Sequence, residues 1–171
     1  MAQDIPAWID GQLVPADKLE VHFRGLRHKA VSVFVMREGR TLLQRRALGK
    51  YHTPGLWANT CCTHPHWDET PRDCALRRLD EELGLHGLNP VYRGQVEYRA
   101  EVGGGMTEHE LVDIFVAEAG AGTEPAPNAA EVMDTDWLTL PELRARIEAR
   151  PEAFTPWLRI YLAEHVEMIL G

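Results

Sequence analysis

The sequence predicts an α/β or α+β sandwich in which helices flank a mixed central sheet. Three observations lead there. Apolar, β-rich runs and helical patterns are interleaved along the chain rather than segregated. One long helix lies between strand-like runs and carries clear start and stop signals. Two long β-rich runs meet at Gly103-Gly104-Gly105, a hairpin signature.

Residues 1–29 mix turn residues with short apolar pieces, and within them residues 8–14 read as a hairpin around Asp10-Gly11. Residues 30–36, Ala-Val-Ser-Val-Phe-Val-Met, form a mostly apolar buried strand. Glu38-Gly39 turns the chain, and residues 41–44 return as a second strand. Residues 50–65 are loop-like at both ends, with Pro54-Gly55 as a turn. The helix follows. Thr70 caps it, Pro71 takes the first helical position and Asp73 falls three residues after the cap. Ala75, Leu76, Leu79 and Leu83 line its apolar face, and Gly84 stops it. Arg77 and Arg78 stand four residues before Glu81 and Glu82, so each pair can meet. Residues 91–102 and 107–117 are the hairpin strands, 119–130 an exposed Gly/Pro/Ala loop, and 132–138 a last strand. Pro141 starts a helix ending near Arg150-Pro151. Thr155-Pro156 starts a C-terminal helix carrying Trp157, Ile160, Tyr161, His165 and Ile169.

A chain of 171 residues suits one domain, residues 1–171, with a core that needs no staples. Its 44% hydrophobic and 26% charged residues exclude a disordered or fibrous protein. No run of 18 apolar residues is present, and the start, Met1-Ala2-Gln3-Asp4-Ile5-Pro6, has no basic segment leading into an apolar one. The expectation is a soluble cytoplasmic protein with reduced thiols and no membrane partner. The net charge of -8 speaks against a nucleic-acid partner, which needs clustered Lys and Arg, but leaves room for a small anionic ligand.

Four clusters carry possible chemistry. In Asn59-Thr60-Cys61-Cys62-Thr63-His64-Pro65 a thiol stands two residues from an imidazole, ahead of a helix. It reads either as a reactive site or as two buried cysteines beside a loop histidine. In Glu108-His109-Glu110, strand alternation puts both carboxylates on one face, where they are either solvated or metal-bound. On that pair alone the solvated face is the simpler reading. His22, His28 and His64 would complete a three-nitrogen, two-oxygen set suited to Mn, Fe or Zn. Glu81 and Glu82, near the end of the helix that begins after Glu69, could hold Mg²⁺ beside a phosphate, or form a solvated face knitted to Arg77 and Arg78. The basic groups Arg24, Arg27, Lys29 and Arg45, Arg46, Lys50 could bind a diphosphate, or be surface residues.

Taken together these clusters resemble the type I isopentenyl-diphosphate delta-isomerases of the Nudix superfamily. The resemblance runs from about His22 to Trp157. It rests on Gln44-Arg45-Arg46-Ala47-Leu48-Gly49-Lys50, on the run from Pro54 through Cys62 to Pro65, on Glu82-Leu83-Gly84, on Glu108-His109-Glu110 and on Phe154-Thr155-Pro156-Trp157. It implies a Nudix-like fold and an isomerase that adds a proton to the terminal alkene carbon of isopentenyl diphosphate and removes one from C2, giving dimethylallyl diphosphate for isoprenoid biosynthesis. It also implies roles. Cys62 and Glu110 are the opposed catalytic groups, Tyr98 assists proton transfer, and the Trp157 π face stabilises the cationic carbon. His22, His28, His64, Glu108 and Glu110 hold Mn²⁺ or Zn²⁺. Glu82 binds Mg²⁺ with the substrate diphosphate, and Lys18, Arg46, Lys50 and Arg78 are the diphosphate-side cations. Cys61 is a packing residue. The protein is a monomer or homodimer acting on a small molecule.

The chain departs from the Nudix pattern at Thr63, where the pattern has Gly, and at Arg78, where it has Glu. Arg78 removes a carboxylate from the hydrolytic metal site, whereas Glu81 keeps one. A Nudix diphosphohydrolase is therefore the alternative reading, and a non-catalytic binding module the third.

Overall fold

The computed structural model of the chain describes residues 3–171; Met1 and Ala2, the start of the N-terminal segment read above, lie outside the described residues. Strands β1 (Asp4–Ile9) and β2 (Gln12–Asp17) form the expected hairpin. Asp10 and Gly11 turn it with φ of 51° and 78°, the left-handed pair that matches strand twist. Helix α1 (Lys18–Arg24) follows at once, where the sequence reading saw only turns and short apolar pieces. Its cap is ordinary: the Asp17 carboxylate accepts the Glu20 N–H at 3.0 Å, and Gly25 closes it with φ of 65°. The Asp-x-x-Glu signal was there to be read; seven residues were too few to show helical periodicity.

Strands β3 (Arg27–Arg37) and β4 (Arg40–Arg46) outrun the expected segments at both ends. The loop after them contains two short strands, β5 (Trp57–Ala58) and β6 (Cys61–Thr63). Helix α2 (Pro71–Leu83) has the expected limits: Thr70 Oγ1 accepts the Asp73 N–H, and Gly84 stops it with φ of 60°. A side chain at Gly84 would also meet the Ala126 Cβ at 3.0 Å. Then come β7 (Val91–Gly103), β8 (Met106–Glu118), β9 (Val132–Leu138) and α3 (Leu140–Ala149). The expected single C-terminal helix is two, α4 (Pro156–Glu164) and α5 (Val166–Leu170), because His165 leaves helical geometry at φ of -130°.

The sheet is mixed and organised on β3. That strand runs parallel to β8 from Arg27↔His109 to Met36↔Glu118, and antiparallel to β6 at Val31–Val33. It also touches β1 at Ala7↔His28 and β4 at Met36↔Thr41. Both faces of β3 are covered, which is why its sequence is nearly continuous in apolar residues. Ala30 and Phe34 pack under α4 and α5 with Ile114, Leu158 and Tyr161. Val31, Val33 and Val35 pack under α2 with Ala75, Leu79 and Leu83. Ile5, Ala7 and Val21 make a small third core that seats α1 against the hairpin. The register places His28 beside Glu110, Tyr98 beside Glu110 and Ser32 beside Cys62, so the sheet itself assembles the polar centre. Among the described residues no helix is long and apolar enough to cross a membrane.

Candidate active site

Four segments, drawn from both ends of residues 22–110 and from the middle, converge at one end of β3. Helix α1 brings His22, β3 His28, the residue after β6 His64, and β8 Glu108 and Glu110. All five are buried, and His22 and His28 have no exposed surface. The carboxylates are therefore not on a solvated strand face, and His22 takes its place with the others. His22 Nδ1 lies 2.6 Å from the Lys18 carbonyl, and His28 Nδ1 lies 2.8 Å from the Leu26 carbonyl. A carbonyl only accepts, so both Nδ1 atoms carry hydrogen and a neutral ring presents an Nε2 lone pair. Those lone pairs face Glu108 at 2.8 Å and 3.0 Å. His64 Nε2 lies 3.2 Å from His28 Nε2 and 3.0 Å from Glu110 Oε2.

Acceptors facing one another at such distances need a cation between them. Burial opposes a charged His28, yet hydrogen bonds to Glu108 and Glu110 outweigh it and push its pKa up to about 10. Burial likewise works against an ionised Glu108, and the surrounding imidazoles still hold it well below the usual carboxylate range. Glu110 is also held low, against burial and the Glu108 charge, by His28 and His64. One donor atom from each of His22, His28, His64 and Glu108 lies within 4.8 Å of the others. Three imidazoles and a carboxylate suit a divalent ion of the Mn, Fe or Zn type, so the donor set fits such a metal.

Beside this cluster is a cavity of about 10 Å³, room for about one water molecule. Cys62, Glu110, Trp157, Arg46 and His52 are among the residues lining it. Asn59 gives both amide hydrogens to the Val33 and Cys61 carbonyls, leaving its oxygen to accept the Cys62 thiol at 2.8 Å. The Trp157 indole N–H donates to the Cys62 sulfur at 2.9 Å, and Ser32 Oγ lies 3.6 Å from it. Burial pushes the Cys62 pKa up to about 12, so the thiol keeps its proton at neutral pH. Across the cavity the Tyr98 hydroxyl donates to Glu110 Oε1.

The expected diphosphate cations divide. Lys18, Lys50 and Arg78 line a second, polar cavity of about 210 Å³, whereas Arg46 lines the small one, with its guanidinium 5.4 Å from the Trp157 ring centre. Burial, then the charges of Lys50 and Arg78, lower Lys18 to about 8. Arg78 Nη2 bonds Glu82 at 2.6 Å and lies 3.4 Å from Glu131, which also pairs with Lys50. Glu82 is buried beneath this basin, with Gln44 Nε2 and the Cys61 thiol each 3.0 Å from its Oε2. Cys61 therefore does more than pack. The first basic group does not join: Arg24 pairs with Glu20, Arg27 with Glu97, and Lys29 lines a separate pocket near Trp67. Arg45 bonds the Gly55 carbonyl instead.

Three participants were not read from the sequence. Glu131 sits between Lys50 and Arg78, Tyr51 lies with its ring 4.3 Å from the Lys18 ammonium, and His52 bonds Glu108 at 2.6 Å. Burial lowers His52 to about 4, so it stands neutral beside that carboxylate. The available signal was adjacency: Tyr51 and His52 directly follow Lys50.

The NUDIX domain family matches residues 26–158. The isopentenyl-diphosphate Delta-isomerase of Dinoroseobacter shibae is 66% identical over 98% of this chain and 95% of its own. That of a Jannaschia species is 62% identical over 99% and 96%. In fold, the chain is similar to DR0079 from Deinococcus radiodurans, with a TM-score of 0.74 at 18% identity over 99% of this chain and 100% of that one. It is also similar to a MutT NUDIX hydrolase from Burkholderia pseudomallei, with a TM-score of 0.63 at 22% identity over 81% and 98%. By these matches the chain belongs to the isopentenyl-diphosphate Delta-isomerase family of Nudix-domain proteins.

Proposed function

We propose that this protein interconverts isopentenyl diphosphate and dimethylallyl diphosphate. The observation that carries the reading is the convergence of the Cys62 sulfur, the Glu110 carboxylate and the Trp157 ring on one small cavity, beside a cation-lined basin. The reaction adds one proton to the terminal alkene carbon and removes one from C2, with no net change in atoms. It needs two proton-carrying groups, a wall that tolerates positive charge and little water. Cys62 and Glu110 are the two groups. At rest the thiol holds its proton and the carboxylate does not. Their parts exchange between the forward and reverse directions. Tyr98 serves Glu110 as a hydrogen-bonded partner. Trp157 offers its π face to the electron-deficient carbon.

Lys18, Lys50 and Arg78 bind the diphosphate, and Arg46, which lines the small cavity with Trp157, binds its near end. His22, His28, His64, Glu108 and Glu110 would hold Mn²⁺ or Zn²⁺, which would fix the Glu110 carboxylate and set its acidity. Glu82 would hold Mg²⁺, which would neutralise the diphosphate. The same reading takes residues 1–171 as one domain, working in the cytoplasm as a monomer or homodimer on a small-molecule substrate, with no nucleic-acid or membrane partner, in isoprenoid biosynthesis. The hydrolase alternative is disfavoured because Arg78 stands where the Nudix pattern has a glutamate, which removes one carboxylate from the hydrolytic metal site.

The test is proton NMR of isopentenyl diphosphate with the pure protein and Mg²⁺ in D₂O, repeated with Mn²⁺ and Zn²⁺. Dimethylallyl diphosphate with deuterium in a methyl group is expected. Release of phosphate or pyrophosphate instead would establish the hydrolase.

A further inference from the structure

Four imidazoles surround Glu108, but they are of two kinds. His22 and His28 have acceptors on both sides, a backbone carbonyl at Nδ1 and a carboxylate at Nε2. Such rings face Glu108 only across a proton or a metal ion. His52 differs. Its Nε2 lies 2.6 Å from Glu108 Oε1, and its Nδ1 lies 2.8 Å from the Thr53 hydroxyl. A hydroxyl can donate where a carbonyl cannot. The neutral ring is therefore satisfied on both sides: Thr53 donates to Nδ1, and Nε2–H donates to Glu108. His52, like Glu110, is absent from the set of donor atoms that lie within 4.8 Å of one another, but Glu110 Oε2 lies 3.0 Å from His64 Nε2, whereas both His52 nitrogens are already engaged.

We infer that His52 is a positioning residue for the metal site, holding the Glu108 carboxylate turned toward the ion. The inference rests on the reading of His22, His28, His64 and Glu108 as ligands. When those rings give their Nε2 lone pairs to an ion, they cease to contact Glu108 as donors, and His52 is the imidazole left to fix it. Ligating carboxylates are commonly held by such a second partner. The local chain is built for this. His52 is buried, its ring centre lies 5.7 Å from that of Trp157, and Thr53 occupies φ of 45°, an unfavourable conformation for a β-branched residue. The fold accepts that strain in the turn that presents His52.

The test uses Co²⁺ as a coloured probe, added to metal-stripped full-length protein, with affinity measured by chelator competition and coordination by the visible spectrum. His52→Ala is expected to weaken Co²⁺ about 10- to 100-fold with the band positions unchanged, since all ligands remain. His52→Gln, whose amide N–H can reach the Nε2 position, is expected to recover part of the loss, and Thr53→Val to show a smaller one. Circular dichroism checks folding, and the Gln and Val variants carry the test if the Ala variant does not fold. Wild-type affinity in all three variants would overturn the inference. So would a shift of the bands to those of a site with one nitrogen fewer, which would make His52 a ligand. Failure of the wild-type protein itself to bind Co²⁺ would overturn the ligand reading and this inference together.

Discussion

The Trp157 indole N–H donates to the Cys62 sulfur at 2.9 Å, so the aromatic wall of the cavity and its thiol are a single hydrogen-bonded unit. Trp157 is the second residue of α4, after Pro156, while Cys62 lies in β6. The contact therefore ties a helix start to the sheet. Under the proposed mechanism Trp157 would make two separable contributions, a π face for positive charge and a donor that favours sulfur carrying negative charge.

Trp157→Phe separates them. Phenylalanine keeps a π face and removes the donor. A hydrogen bond to a charged group is worth about 1.5–3 kcal/mol, so kcat is expected to fall about 10- to 100-fold with KM little changed. Trp157→Ala, losing both, is expected to fall by about a further 10-fold or more. Steady-state rates of allylic product formation decide it. Full activity in the Phe variant would leave the N–H contact without a catalytic part.

Glu110→Gln keeps the shape and the Tyr98 contact but removes the group proposed to carry the proton. The expected loss in kcat is about 10²- to 10⁴-fold, the usual range for general acid–base catalysis. Diphosphate affinity is expected to hold, because the basin of Lys18, Lys50 and Arg78 is untouched. A large rise in the substrate dissociation constant with unchanged turnover would refute this role.

If Lys18 binds the diphosphate as proposed, it sets an alkaline limit on activity. Burial and neighbouring cations lower it to about 8, so it is charged below that pH and neutral above. Only the charged form attracts a diphosphate. Hence kcat/KM is expected to fall as pH rises through about 8, while kcat at saturation falls later, since a bound anion holds the proton on. Lys18→Arg, whose guanidinium stays charged, is expected to move that limb upward. An unmoved limb would assign it to another group.

What the sequence disclosed follows from how local each signal is. The helix from Pro71 to Leu83 was legible because Thr70, Pro71 and Gly84 act within a turn of themselves. The Gly104-Gly105 turn made the long hairpin legible in the same way. Helix α1 was not, because its short length gave periodicity nothing to repeat, yet it delivers Lys18 and His22. The solvated reading of Glu108 and Glu110 failed for a related reason. Alternation shows that two residues share a face, but only the parallel pairing of β3 with β8 shows that the face is buried against His28. His52 escaped notice because its partner, Glu108, is 56 residues away and no local pattern marks the pair.

The ion pair between Glu69 and Arg77, the latter on the wall of the polar basin, makes a stability prediction. Arg77 forks onto Glu69, with Nε 2.6 Å from one oxygen and Nη2 2.8 Å from the other, and the His66 N–H donates to the same carboxylate at 3.1 Å. The Arg77 hydrogen bonds, against some burial, hold the Glu69 pKa down at about 2, from 4.5 when free. A carboxylate lowered on folding stabilises the native state above its unfolded pKa and loses that contribution as pH falls through the folded one. The gap in stability between wild type and Glu69→Gln is therefore expected to be full above about pH 4.5 and to close toward pH 2. Its plateau is expected to be about 1 kcal/mol, because the pair lies near solvent. Urea unfolding of both proteins at pH 6, 4.5, 3 and 2 measures the gap. A gap that stayed constant with pH would show that Glu69 acts by shape alone, since only its charge can titrate away.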